Sequence, residues 1–64
     1  MFNKFKNNEI VIVNGIGKCD STYYKSRIGK VICRDPYYLD YNILFDDGTE
    51  DWLDGKYLES VEGE

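Results

Sequence analysis

Four carboxylates cluster around an Asp-Gly pair in the second half of the chain. They are Asp46, Asp47, Glu50 and Asp51. Carboxylate oxygens are calcium ligands, but the alternating ligand order of an EF-hand, with a glycine at its sixth position, is missing. Aspartates in tight turns also bind the neighbouring backbone, which explains the cluster without a metal. We therefore expect neither a metal nor a cofactor.

Catalytic chemistry has little support in the residue types present. The chain of 64 residues contains no histidine, no nucleophile elbow and no glycine-rich phosphate loop. A domain of this size also lacks room for a cleft that shelters paired carboxylates from water. We expect a non-enzymatic protein with no small-molecule substrate.

A basic and aromatic segment precedes the acidic cluster. Its cations are Lys18, Lys25, Arg27, Lys30 and Arg34, and they are interleaved with Tyr23 and Tyr24. Cations that contact phosphates and rings that stack on bases would suit RNA or DNA. However, residues 35–64 contain ten Asp or Glu against one Lys, and this half would repel nucleic acid unless it lies on the opposite face. We favour a solvated loop whose tyrosines cap one end of the fold.

Two more tyrosines, Tyr37 and Tyr38, follow Pro36 in a predicted turn. Exposed aromatic side chains are enriched at protein interfaces because they bring a large contact area at a low cost in side-chain entropy. The pair therefore predicts a protein-binding surface. The alternative is that these rings only cover one end of the fold.

Apolar and polar residues alternate along the chain, and this period of two predicts strands rather than helices. Five strands are expected, at Glu9–Asn14, Ile28–Arg34, Asp40–Asp46, Thr49–Leu53 and Tyr57–Val61. Between them the sequence predicts a long first loop at Gly15–Arg27, a bulge at Gly29 and a short 3₁₀ turn at Asp54–Lys56. One domain at residues 9–61 is expected, with tails at 1–8 and 62–64.

Asp47-Gly48 predicts a two-residue type I′ hairpin turn, because these residues tolerate the positive φ that both central positions need. That turn would place Phe45 opposite Glu50 and Ile43 opposite Trp52. The core face would then carry Tyr41, Ile43, Phe45 and Trp52. The other face would carry Leu44 and Leu53, either covered by Phe2 and Phe5 or left as a docking patch.

The two cysteines are too few for a disulfide framework and too far apart for a zinc or redox motif. We interpret Cys33 as a buried apolar residue and Cys19 as a free thiol, with one bridge between them as the alternative. No apolar run approaches the roughly 20 residues of a membrane span, and the first residues have no apolar signal segment. We expect a cytoplasmic protein that does not bind membranes.

Five short strands with a long first loop, a tight hairpin and a one-turn connection before the last strand predict an all-β, SH3-like barrel. The motif Y-x-I-L-F-D-D-G-x-E-x-x-x-x-G-K-x-L, from Tyr41 to Leu58, resembles the third to fifth strands of Tudor domains. Gly29-Lys30-Val31-Ile32 is similar to the second Tudor strand and to the core of KOW domains.

The Tudor resemblance implies an aromatic cage for a modified lysine, with Phe45 as a cage ring and Asp47 as the turn carboxylate. The remaining cage positions fall on Thr49, on Arg27 and near Asn14, so the cage is incomplete. Tyr23 and Tyr24 would have to substitute from the loop.

Together these patterns predict a protein-interaction module, such as a small phage or bacterial inhibitor or adaptor that docks on a larger nucleic-acid-processing protein. A composition rich in Asn, Lys, Ile, Tyr and Asp suggests the bacterial or phage origin. The predicted protein-binding residues are Tyr23, Tyr24, Tyr37, Tyr38, Phe45 and Asp47. Direct RNA or DNA binding through the five cations, and modified-lysine recognition, are the alternatives.

Overall fold

The computed structural model describes residues 5–61, which form five strands and a single helical turn. The strands are β1 (Ile10–Ile16), β2 (Tyr23–Arg34), β3 (Asp40–Phe45), β4 (Glu50–Asp54) and β5 (Leu58–Ser60). A 3₁₀ turn at Gly55–Tyr57 separates the last two strands. The Asp54 carboxylate caps this turn by accepting a hydrogen bond from Lys56 N–H at 3.0 Å. The 3₁₀ connection expected here is confirmed, one residue later than predicted.

All strands belong to one antiparallel sheet in the order β4-β3-β2-β1-β5. The first four strands are joined by hairpins, and β5 returns to pair with β1. The expectation of an all-β fold with five antiparallel strands is therefore confirmed. Within residues 5–61 no strand pairing joins β4 to β5, so the sheet is not closed.

The first hairpin is longer than its sequence predicts. β1 extends to Ile16 and β2 already begins at Tyr23, so the loop expected at residues 15–27 is wrong and only residues 17–22 connect the strands. The cause is a bulge at Ser26, which has a φ of 52° and donates its N–H to the Asn14 side-chain oxygen at 2.9 Å. The extra residue breaks the alternation that marks a strand.

The predicted bulge at Gly29 is also wrong. Gly29 lies in register between Val11 on β1 and Phe45 on β3. A side chain here would collide with Ile43, so the glycine allows close packing. The irregularity in the pairing of β2 with β3 falls between Val31 and Cys33 instead.

The β3–β4 turn contains three residues, Asp46–Gly48, and not two. Gly48 N–H donates to the Phe45 carbonyl at 3.0 Å, and Phe45 N–H donates to the Thr49 carbonyl at 2.8 Å. Of the three loop residues, Gly48 has a positive φ, at 88°. This is the geometry of a type I turn followed by a glycine bulge. The type I′ prediction is therefore wrong.

The longer turn shifts the pairing of β3 and β4 by one residue. Ile43 faces Asp51, while Trp52 faces Asn42 on the outer surface and is half-buried. A slip of one residue turns every side chain of a strand to the other face. The prediction of a core Trp52 is therefore wrong, and Leu53 is fully buried in its place.

The core agrees with the sequence at three of the four positions predicted on the β3–β4 hairpin. Tyr41, Ile43 and Phe45 are buried as expected. The rest of the core comes from the inner faces of β1, β2, β4 and β5, namely Val11, Val13, Tyr24, Val31, Leu53 and Leu58.

The chain before β1 packs against the sheet within the described residues. The Phe5 ring meets Tyr41 edge to face at 5.4 Å, on the core side and not over Leu44. Asn8 N–H donates to the Val31 carbonyl at 2.6 Å. Phe2, which was predicted to cover the sheet, and the predicted tail at 62–64 both lie outside the described residues.

Both cysteines are free thiols, Cys19 exposed and Cys33 half-buried, so the bridged alternative is wrong. In residues 5–61 no helix has the length and apolar character to cross a membrane.

Candidate functional site

The loop between β2 and β3, residues 35–39, is the most exposed apolar feature among the described residues. Asp35 begins it, and its carboxylate accepts the backbone N–H groups of Tyr37 at 2.8 Å and Tyr38 at 3.2 Å. An aspartate that binds amides two and three residues later stabilises a turn. The local sequence Asp-Pro-Tyr-Tyr therefore folds into a defined conformation.

This loop, which we call the tyrosine loop, is also held at both ends by backbone hydrogen bonds. Asp35 N–H donates to the Asp40 carbonyl at 2.9 Å, which closes the loop. The Leu39 carbonyl accepts from Gly55 N–H at 2.7 Å, which joins the loop to the 3₁₀ turn. The backbone is thus fixed before any partner arrives, and ordering it would cost little on binding.

The side chains of the tyrosine loop point to solvent. Tyr37 is 87% exposed, Tyr38 is 66% exposed and Leu39 is 51% exposed. Three consecutive large apolar side chains on a fixed loop leave hydrophobic area that the fold itself does not bury. Contiguous exposed apolar area of this kind marks interaction sites.

The other two predicted tyrosines are adjacent residues of β2, so their side chains lie on opposite faces of the strand. Tyr23 is exposed and faces Ile16 at the far end of the β1–β2 hairpin. Tyr24 is buried and stacks on Phe45, with ring centroids 4.5 Å apart and planes 17° apart. Tyr24 and Phe45 are therefore part of the core, while Tyr23 is on the surface.

A buried carboxylate, Asp51, organises this end of the fold. It is only 2% exposed and accepts hydrogen bonds from the Tyr24 hydroxyl at 2.7 Å, Cys19 N–H at 3.0 Å and Trp52 N–H at 2.7 Å. A buried charge is tolerated when its lone pairs are occupied in this way. Asp51 thereby ties the β1–β2 loop to β4.

The pKa values of the pair reflect the same contact. Burial raises the pKa of Asp51, but the hydrogen bonds from Tyr24 and Cys19 outweigh burial and keep it below its ordinary value. Burial, together with the hydrogen bond to Asp51 and its negative charge, raises the pKa of Tyr24 to about 12. At neutral pH the contact therefore joins a charged carboxylate to a neutral hydroxyl.

Sequence reasoning missed the role of Asp51 because it assumed the wrong turn length. Gly17 carries a second signal, since a side chain there would overlap the Asp51 carboxylate. The adjacent Lys18 N–H donates to the Trp52 carbonyl at 2.9 Å. The loop thus covers part of the β4 edge, which would otherwise offer unpaired backbone groups.

Phe45 and Asp47, the residues matched to a Tudor cage, do lie close to Arg27. The guanidinium carbon of Arg27 is 4.9 Å from the Phe45 ring centre, and its nitrogen is 3.6 Å from an Asp47 oxygen. Two hydrogen bonds from Thr49 lower the pKa of Asp47, with a smaller contribution from the Arg27 charge. A cation of the chain itself therefore lies against the predicted cage ring, which is buried.

The five predicted nucleic-acid contacts do not form one patch of free cations. Lys18 pairs with Asp40 at 3.1 Å, and Arg27 pairs with Asp46 at 3.5 Å. Among residues 5–61, the remaining three make no ion pair, namely Lys25, Lys30 and Arg34. Tyr24, one of the two stacking rings predicted with them, is buried.

The part of the chain that the structure describes contains no group of three or more Cys, Asp or Glu side chains arranged to hold a metal ion. Comparison with protein-family models, curated proteins and solved structures gives no significant match to this chain.

Proposed function

We propose that this protein is a small, non-enzymatic protein-binding module with an SH3-like architecture, and that its docking site is the tyrosine loop. The architecture is supported by the five-strand order and by the 3₁₀ turn before β5, although strand pairing leaves the sheet open. The module acts by occupying a site on a larger protein, as an inhibitor or adaptor does.

One observation carries the proposal: Tyr37, Tyr38 and Leu39 are exposed on a backbone that is already fixed. Burial of an aromatic side chain in a partner pocket supplies much of the binding energy at interfaces. Because Asp35 orders the loop beforehand, little of that energy is lost to conformational entropy.

Direct nucleic-acid binding is less well supported by the same geometry. Two of its five cations are ion-paired with aspartates of the fold, and one of its two rings is buried. Recognition of a modified lysine is also less well supported, because Tyr24 stacks directly on Phe45 and Arg27 covers the same ring.

The test is affinity capture from extracts of the source cells, quantified by mass spectrometry, with wild-type protein and the double variant Tyr37→Ala, Tyr38→Ala. We expect the variant to recover at least about tenfold less of the specific partner, as loss of two aromatic anchors predicts. The matched control is Tyr23→Ala, which removes another exposed tyrosine, on the β1–β2 hairpin, and should capture the partner normally.

Nucleic acid is tested in parallel by fluorescence anisotropy with a labelled 20-nucleotide oligo(dT). The nucleic-acid alternative would be favoured by salt-sensitive, micromolar binding of the oligonucleotide. That binding would be lost in the double variant Lys25→Glu, Lys30→Glu and unchanged in the tyrosine double variant. Equal capture of the partner by wild type and the tyrosine variant would overturn the proposed docking site.

A further inference from the structure

A shallow groove lies on the outer face of the sheet, across β1, β2 and β3 and away from the tyrosine loop. It encloses about 290 Å³ between Ile10, Ile28, Lys30 and Leu44, with its end near Asp46. Cross-strand pairing places Ile10 beside Lys30 and Lys30 beside Leu44, so these side chains form one row. Ile28 lies in the adjacent row, opposite Ile12.

The walls of the groove are apolar and accessible. Ile10 is 40% exposed and Ile28 is 46% exposed, and Leu44 is half-buried. Val61, also exposed, follows β5 next to Ile10, and its backbone N–H donates to the Ile10 carbonyl at 3.3 Å. Among residues 5–61 the side chains of this face stay accessible, so it offers a hydrophobic surface separate from the tyrosine loop.

The charge inside the groove restricts what can cover it. Lys30 stands between the apolar walls and makes no ion pair with the described residues, whereas Asp46 is already paired with Arg27. Glu50 and Glu59 lie at the margins of the face, opposite Leu44 and Ile12. A partner that covers the apolar walls would remove water from the Lys30 ammonium, which is costly unless a carboxylate replaces that water.

We propose that this groove binds a segment of a partner protein in which a leucine-sized aliphatic side chain is adjacent to an aspartate or glutamate. The aliphatic side chain lies between Ile10, Ile28 and Leu44, and the carboxylate pairs with Lys30. Apolar contact supplies the affinity, and the single central cation supplies the preference for acidic segments. This surface is independent of the tyrosine loop.

The experiment uses nitrogen-15 spectra of the whole chain titrated with the peptide Gly-Glu-Leu-Glu-Leu-Glu-Gly. We expect saturable shifts at the amides of Ile10, Ile28, Lys30 and Leu44, with a Kd below about 1 mM. The control peptide Gly-Lys-Leu-Lys-Leu-Lys-Gly has the same leucines and the opposite charge. It should bind at least about tenfold more weakly.

Two matched charge reversals locate the recognition. Lys30→Glu should weaken the acidic peptide at least about tenfold and make the basic peptide the better ligand, whereas Lys25→Glu, outside the groove, should leave both affinities within about twofold. If Lys30→Glu loses its dispersed spectrum, Lys30→Gln replaces it and should abolish the preference between the two peptides. Leu44→Ala should weaken both peptides.

Several results would overturn the proposal. For the acidic peptide, these results are the absence of saturable shifts or shifts confined to other strands. For the variants, the contradicting result is an equal effect of Lys25→Glu and Lys30→Glu on peptide affinity. Tighter binding of oligo(dT), seen as shifts of the same amides, or self-association through Leu44, seen by sedimentation, would also overturn it. Because the tyrosine loop lies elsewhere, loss of groove binding leaves capture by Tyr37 and Tyr38 unaffected, and the two proposals fail separately.

Discussion

Tyr24 and the pair Tyr37–Tyr38 show how one residue type serves two purposes in two regions of the same sheet. Near the β1–β2 loop, the Asp51 carboxylate accepts a hydrogen bond from the Tyr24 hydroxyl, and the Tyr24 ring is buried against Phe45. In the β2–β3 loop, the Asp35 carboxylate accepts hydrogen bonds only from backbone amides, and the rings of Tyr37 and Tyr38 point to solvent. A tyrosine whose hydroxyl is bound by an aspartate stabilises the fold, whereas tyrosines held only through their backbone amides keep their side chains available to a partner.

The largest effect at a polar position should follow from Asp51→Ala. The substitution leaves the Tyr24 hydroxyl and the Cys19 amide without their acceptor, and each lost partner of a buried group costs about 1–3 kcal/mol. We expect a loss of about 3 kcal/mol in the free energy of unfolding, measured with urea. Asp35→Ala is the matched control and should cost only about 1 kcal/mol, because its amides are exposed to water. Equal losses would remove the distinction between the two ends.

A smaller loss is expected from Gly48→Val. The space beside Gly48 is open, but its φ of 88° strains a β-branched residue by about 2 kcal/mol. Gly48→Asn is the control, because asparagine tolerates this conformation better. A Gly48→Val variant that unfolds at the wild-type urea concentration would contradict the three-residue turn.

Trp52→Ala should cost about 1–2 kcal/mol, because a half-buried side chain on the outer face loses only part of its buried area. Leu53→Ala, at the adjacent and fully buried position, should cost more, about 2–5 kcal/mol. A larger loss of stability in Trp52→Ala than in Leu53→Ala would instead support the strand pairing that places Trp52 in the core.

The dependence of stability on pH should identify the Tyr24–Asp51 contact from both sides. Because the folded pKa of Asp51 is below the unfolded value of about 4, its contribution is present above that pH and is lost as the pH falls through the folded pKa. Because the pKa of Tyr24 is raised to about 12, its contribution is present below the unfolded value of about 10 and disappears as the pH rises toward 12.

Urea unfolding across the pH range measures both losses. Asp51→Asn should flatten the acid side and Tyr24→Phe the alkaline side. Unchanged profiles in these variants would show that other groups control the pH dependence.

The strand content was predictable because alternation and turn signals are local. The tyrosine turn was predictable for the same reason, since Asp35 and Pro36 specify it through neighbouring atoms. The side of the sheet on which Trp52 lies could not be predicted. Asp-Gly suits both a two-residue turn and a longer turn with a glycine bulge, and only tertiary packing selects between the two registers.

The burial of Tyr24 was equally hidden from sequence. It requires β2 to begin at Tyr23, and the bulge at Ser26, which has a positive φ and a hydrogen bond to Asn14, interrupts the alternation that would have predicted this part of the strand. The role of Asp51 was missed because the turn was predicted one residue too short. Arg27 was assigned to a basic loop because its contact with the Phe45 ring joins residues that are far apart in sequence and cannot be predicted from local pattern.

The most direct test of the proposed docking site is the urea unfolding free energy of the Tyr37→Ala, Tyr38→Ala variant, measured on the same preparation used for partner capture. We expect a free energy within about 0.5 kcal/mol of wild type, because both sites are exposed, together with at least about tenfold less captured partner. A loss of stability above about 2 kcal/mol, or undiminished capture by a stable variant, would contradict the claim that these tyrosines are available for binding.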